Sequence, residues 1–174
     1  EISILHATYF LITMLLIGLI CLYQLNIYTW FVAVSAIPLV VLYPLAKRFT
    51  KWPQIILGLT FSWAVPTAWS AANEEWNLGI FIMYLATVFW IIGYDTIYGC
   101  QDRNEDEIIG IKNSAISAKN FLTLFLGCSY SLMFILLMIS GYLLNNNIFW
   151  YIGVSICGLH LTYQVIKIKN IEQN

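Results

Sequence analysis

Apolar residues run through this chain in long blocks broken by short polar punctuation. Six blocks stand out: Ile4–Tyr23, Tyr28–Ala46, Gln54–Ala72, Leu78–Tyr98, Phe121–Leu144 and Ile148–Ile166. At ~1.5 Å rise per residue, a helix of about 20 residues crosses a ~30 Å hydrocarbon layer. The punctuation is of two kinds. "QLN", "NEEWN" and "NNN" are tight turns, whereas "KRFTKWP" and "GCQDRNEDEIIGIKNSAISAKN" are longer polar loops. The pattern predicts an all-α fold, a polytopic transmembrane helical bundle of about six helices. It forms a single transmembrane domain over residues 1–174, with no soluble domain, low-complexity tract or internal repeat.

Composition agrees. The 174 residues are 60% hydrophobic and 10% charged, and a soluble domain of this size needs far more charge to cover its surface. No basic patch suggests nucleic acid as a partner. Cys21, Cys100, Cys128 and Cys157 are isolated, without metal-ligand spacing, and read as small apolar fillers. The chain opens at Glu1, directly before an apolar run, as a piece of a longer protein would.

The charges orient the bundle in its lipid bilayer. With six spans, Lys47, Arg48, Lys51, Arg103, Lys112, Lys119, Lys167 and Lys169, which are all the basic residues, fall on one side. The opposite loops carry only Glu74 and Glu75. By the positive-inside rule the two long loops face the cytoplasm, or the matrix in a mitochondrion. The expected location is a bacterial inner membrane or a mitochondrial inner membrane.

Against this background one loop is anomalous. Asp95, Asp102, Glu105, Asp106 and Glu107 account for five of the chain's nine carboxylates. If the fourth helix continues past Tyr98, then Asp95, Tyr98, Asp102 and Asp106 fall within about 80° of one another on one face. Such a stripe is self-repelling, and more so near lipid, where ionised carboxylates are poorly solvated. A divalent cation offsets that cost. Carboxylate oxygens without His or Cys suit Mg²⁺, which keeps several waters and often shares its sphere with phosphate. The plainer alternative is a solvated loop whose acids balance Arg103, Lys112 and Lys119.

A second cluster, "YPLAKRF", places Tyr43 and Lys47 four residues apart at the same end of the second span. Lys47 can meet a phosphate as a mobile point charge, and Arg48 can fork onto one. Read alone, this is an ordinary snorkelling cluster. Opposed to an acidic stripe on the same membrane face, it can instead receive a metal–diphosphate headgroup whose apolar tail lies between the helices. His6 and His160 read as polar helix contacts, and Pro38, Pro44 and Pro66 as kinks. Trp63, Trp69, Trp90 and Phe89 read as interface anchors, core, or the lining of a cavity.

"YDTIYGCQDRNEDEIIGIKNSAI" closely resembles the second aspartate-rich motif of the UbiA superfamily of membrane prenyltransferases. "YPLAKRFTKWPQIILGLTFSWAVPTAW" resembles that family's YxxxK segment and the helix after it. The resemblance covers nearly the whole chain and is greatest to the branch acting on 4-hydroxybenzoate. It implies that Asp102 and Asp106 are the DxxxD pair binding Mg²⁺–diphosphate. Tyr43 and Lys47 match YxxxK, and Arg48 the basic residue after it. Asp95 and Tyr98 match the YDTxY lead-in, and Lys112 joins the substrate-binding residues. Glu105 stands where Asp is common. Nothing in residues 1–94 resembles the family's first motif, NDxxDxxxD. Of nine expected helices, six are counted, the third to the eighth, so the resemblance implies a partial domain that is inactive alone.

The implied chemistry is electrophilic aromatic substitution: a polyprenyl diphosphate ionises with the help of Mg²⁺, and the ring of 4-hydroxybenzoate captures the allylic cation, a step in making ubiquinone. Within the superfamily, heme, chlorin or another quinone precursor are alternative acceptors. A CDP-alcohol phosphatidyltransferase would carry DGxxAR, which is not found here. A divalent-cation transporter would hold its acids near the membrane midplane, whereas these lie at one end.

Overall fold

The computed structural model describes residues 3–73 and 75–172, the last three by backbone alone. Glu74, one of the two acids expected on the opposite loops, lies outside the described residues. The described residues contain helices and connecting turns but no strand. In chain order the helices are α1 (Ile4–Tyr23), α2 (Ile27–Val34), α3 (Ile37–Phe49), α4 (Pro53–Ser62), α5 (Ala64–Ala72), α6 (Leu78–Gly99), α7 (Arg103–Ile109), α8 (Ser114–Ser117), α9 (Leu122–Leu143) and α10 (Ile148–Glu172). Six stretches are long and apolar enough to cross a membrane: Ile4–Tyr23, Ile27–Phe49, Pro53–Ala72, Leu78–Gly99, Leu122–Leu143 and Ile148–Lys169. The six expected spans are all present, with their ends shifted by three residues at most.

Two of the spans are broken, each for a local reason. Pro38 has no N–H to give the carbonyl of Val34, and Pro66 has none for Ser62. Helices α2 and α4 end at those two residues. The expected kinks at Pro38 and Pro66 are therefore full interruptions, while Pro44 stays inside α3. Side chains seal the helix starts. Asn26 Oδ1 accepts from Thr29 N at 2.8 Å, and Asn77 Oδ1 accepts from Gly79 N at 2.7 Å.

Helix α6 is the hub, packed between α4 and α9, with α10 laid against α9. Close approach depends on small residues, as is usual between helices in lipid. A Cβ on Gly58 would sit 3.0 Å from the Val88 carbonyl oxygen, and one on Gly93 would sit 2.5 Å from the Tyr130 ring. Polar ties reinforce the packing. Asn26 Nδ2 donates to Ser70 O at 2.8 Å, Trp63 Nε1 to Val32 O at 2.8 Å, and Ser140 Oγ to Gly79 O at 2.8 Å. Long apolar side chains remain exposed along every span, from Phe10 on α1 to Leu159 on α10, a surface that suits lipid rather than water. His6 and His160 make polar contacts within their own helices, with Ser3 and Gln164.

The two long loops meet at one end of the bundle. Lys112 N donates to Lys47 O at 3.3 Å, Lys112 Nζ to Phe49 O at 3.2 Å, and Ser117 Oγ to Lys51 O at 2.8 Å. The turn between α9 and α10 lies at the other end. Single cysteines placed at Lys51, Asn104 and Asn146 in a cysteine-free background are expected to sort accordingly. Lys51→Cys and Asn104→Cys should react with an impermeant thiol reagent from one face, and Asn146→Cys from the other. Labelling of positions 104 and 146 from the same face would break the six-span map.

Candidate functional site

The site is built where α3 ends, α4 begins, and α6 gives way to α7 and α8. Helix α6 stops at Gly99. Cys100 N and Gln101 N close short turns onto Ile97 O and Tyr98 O, at 3.1 and 3.0 Å. The Gly99 carbonyl is taken by Asn113 Nδ2 at 3.2 Å, and a Cβ on Gly99 would sit 2.6 Å from that nitrogen. Only glycine leaves room for this side chain. The continuous helix that would put Asp95, Tyr98, Asp102 and Asp106 on one face is therefore absent: the chain turns at 100–102 and restarts as α7.

Within α7 the pair survives. Asp106 N donates to Asp102 O at 2.9 Å, so the two residues stand one helical turn apart. Asp102 is exposed and Asp106 half-buried. The helix ends at Gly110, whose φ of +78° is a left-handed conformation that glycine adopts freely. Gly110 N and Ile111 N both donate to Asp106 O, and the chain doubles back toward α3 and α4.

That return seats Asn113 and Ser114 on Gln54, in the first turn of α4. Gln54 Nε2 donates to Asn113 Oδ1 at 3.0 Å, and Gln54 Oε1 accepts from Ser114 N at 3.0 Å. Asn113 Nδ2 reaches Asp106 Oδ2 at 3.0 Å. Asp95, half-buried on α6, lies close enough to Gln54, Tyr43 and Lys47 to interact with them electrostatically. Beneath this layer, Thr96 Oγ1 and Ser114 Oγ pair at 2.6 Å. Sequence reasoning missed Gln54, Thr96, Asn113 and Ser114. The available signal was polar side chains where an apolar span begins and directly after the acidic run, in "WPQ" and "KNSA".

Of the expected site residues, Tyr43, Lys47, Asp95 and Asp106 are drawn into one connected region. Arg48 is exposed beside Lys47 on the last turn of α3. Tyr98 turns elsewhere, lining a cleft of about 330 Å³ against α10 with Gln101 and Lys167. Lys112 is a strut, its ammonium on the Phe49 carbonyl, with two N–H groups remaining. The acids are not neutralised by the loop's own cations. Among the described residues the ion pair is Lys119–Glu107, at 3.5 Å and half exposed, which leaves Asp95, Asp102 and Asp106 without a Lys or Arg at ion-pair distance.

No group of three or more His, Cys, Asp or Glu converges on one point among the described residues. The donors offered by Asp102 and Asp106 are nevertheless all carboxylate oxygen, with no soft ligand nearby. That set fits a hard cation that keeps water and takes further oxygens from phosphate. These residues supply part of such a shell.

The sequence profile of the UbiA prenyltransferase family matches residues 1–174. The chain is 40% identical over 171 residues to a 4-hydroxybenzoate octaprenyltransferase of Francisella tularensis subsp. novicida (strain U112), covering 98% of this chain and 60% of the relative. A 4-hydroxybenzoate octaprenyltransferase of Francisella tularensis subsp. tularensis (strain WY96-3418) is also 40% identical, covering 98% and 59%. The mitochondrial 4-hydroxybenzoate polyprenyltransferase of Dictyostelium discoideum is 39% identical over 162 residues, covering 90% of this chain and 33% of the relative. The chain thus spans about 60% of the length of the bacterial relatives. No solved structure matches it.

Proposed function

The chain belongs to the UbiA prenyltransferase family, and from that premise we propose that it carries diphosphate-handling residues of an enzyme that moves a polyprenyl group from polyprenyl diphosphate to the ring of 4-hydroxybenzoate, in the making of ubiquinone. The observation that carries the reading is the docking of the acidic loop onto the ends of α3 and α4. It brings carboxylates without basic partners to the end of the bundle that presents Lys47 and Arg48. A diphosphate needs both signs: cations for its oxygens, and carboxylates for the metal it carries.

In this reading Asp102 and Asp106 hold Mg²⁺. When bound, it neutralises charge on the leaving diphosphate. Lys47 and Arg48 take the remaining phosphate oxygens, Lys47 as a compact ammonium and Arg48 as a planar fork. Lys112 keeps the loop on α3 and turns its free N–H groups to the same headgroup, while Asp95 and Tyr43 line the approach. The bond between the allylic carbon and the diphosphate oxygen breaks, and its electron pair leaves with the diphosphate. The ring carbon ortho to the hydroxyl of 4-hydroxybenzoate bonds to the allylic carbon, and the proton on that ring carbon is lost as aromaticity returns. The apolar spans exclude water, which would otherwise consume the cation. The basic loops face the cytoplasm of a bacterium, or the matrix if the membrane is the mitochondrial inner one.

The transporter reading is weaker on the structure. Asp106 lies on α7 and Asp102 directly before it, both outside the spans, and Asp95 is four residues from the end of α6. Membranes containing the full-length protein, given Mg²⁺, a polyprenyl diphosphate and ring-labelled 4-hydroxybenzoate, are expected to move label into the lipid extract. Label that stays aqueous while a heme, chlorin or quinone precursor is prenylated would reassign the acceptor. No transfer to any of them would remove the enzyme reading.

A further inference from the structure

We propose that Gln54 and Asn113 are positioning residues that act as one unit, fixing Asp106 against the start of α4 and the end of α6 through a chain of neutral amides. The inference rests on the prenyltransferase reading and adds two residues to it. Both side chains are buried, Gln54 to 3% exposure and Asn113 to 5%. They are bonded to each other and to the backbone around them. The two N–H groups of Asn113 go to the Gly99 carbonyl and Asp106 Oδ2, and Gln54 Nε2 donates to Asn113 Oδ1. Asn113 Oδ1 also accepts from Ala115 N at 3.0 Å, while Gln54 Oε1 accepts from Ser114 N.

This arrangement has one orientation. Turning either amide over would aim an NH₂ group at a backbone N–H and a carbonyl at another oxygen, losing several bonds at buried positions. The chain of contacts therefore runs from Asp106 on α7, through Asn113, to Gln54 on α4 and to the Gly99 carbonyl at the end of α6. A buried network of this kind is rigid.

Neutral amides suit the task where cations would not. A lysine or arginine in place of Asn113 would also hold Asp106, but it would cancel the charge that a divalent ion needs. An amide N–H engages one oxygen, Oδ2, and leaves the charge in place. The expected consequence is specific: the pair sets how well Asp106 serves a metal–diphosphate, not whether the aromatic acceptor binds.

The test uses the full-length protein in membranes or detergent, with Mg²⁺ and an unreactive thio-diphosphate analogue of the prenyl donor. Asn113→Ala removes the bridge, and Gln54→Glu keeps the shape while replacing N–H donors by an oxygen. Each is expected to raise the Mg²⁺ needed for half-maximal analogue binding by roughly tenfold to a hundredfold. The KM for 4-hydroxybenzoate should hold steady. The double variant should be little worse than the worse single one, because either change breaks the same unit. An unchanged Mg²⁺ requirement in folded single variants would overturn the proposal while leaving the enzyme reading intact. So would independent, multiplying effects in the double variant. Loss of the folded protein in both single variants would assign the pair to holding the bundle together, and would overturn it too. If the unaltered protein fails to bind the analogue with Mg²⁺, the reading beneath the proposal falls instead.

Discussion

Asp102→Ala and Asp106→Ala are each expected to lower prenyl transfer by on the order of a hundredfold or more, with the protein still present in the membrane. The two carboxylates stand one turn apart, Asp102 at the start of α7 and Asp106 within it, and, among the described residues, have no Lys or Arg within ion-pair distance. Their charge is therefore free for a cation. Because ionisation of the donor moves negative charge onto the diphosphate, interactions that hold metal there are worth more in the transition state than in the ground state. The two variants should differ in stability. Asp102 is exposed and its side chain seals no helix, so its loss is expected to leave thermal unfolding almost unchanged. Asp106 accepts from Asn113, so its loss frees a buried N–H and should lower the unfolding temperature by a few degrees. Initial rates at limiting and saturating Mg²⁺, normalised to the amount of protein in the membrane, check both. Near-normal turnover in either variant at limiting Mg²⁺ would take that residue out of the site.

The spans were legible because the signal is local. Ile4–Tyr23 has the same limits in the sequence pattern and in the structure, since nothing but its own apolar residues defines it. The breaks at Val34 and Ser62 were half legible: Pro38 and Pro66 announce a disturbance, and its site follows from the carbonyl four residues back. The acidic loop was legible in composition and not in shape. A continuous helix is what local periodicity allows beyond Tyr98. What stops it is Asn113, which takes the Gly99 carbonyl from 14 residues further along and is itself held by Gln54, 59 residues back. Such pairings leave no periodic trace. Tyr98 shows the cost of assuming one face. It lies three residues from Asp95, yet it lines a cleft toward α10, while Asp95 interacts electrostatically with Tyr43 and Lys47 on α3.

Lys47→Ala distinguishes an enzyme from a cation-binding or transport protein. Lys47 lies on the last turn of α3 with its side chain exposed, and its charge is felt at Asp95. Its backbone carbonyl, not its ammonium, receives Lys112 N, so the substitution leaves the seat of the acidic loop in place. A hydrogen bond to a charged group is worth ~1.5–3 kcal/mol, which corresponds to roughly 10- to 100-fold in apparent affinity. The KM for polyprenyl diphosphate is expected to rise by that factor, with a smaller effect on Mg²⁺ binding measured without donor. Lys47→Arg should recover part of the loss, because a planar fork cannot reproduce every position of a compact ammonium on a flexible stem. A transporter holding its ion on Asp102 and Asp106 gives the opposite sign: removing a nearby positive charge leaves cation affinity unchanged or raises it, and no donor dependence exists to be altered. Donor-concentration kinetics with metal titrated separately distinguish the two. If Lys47→Ala leaves the donor dependence as it was, Lys47 does not touch the diphosphate, and the joint action of the basic and acidic clusters loses its main support.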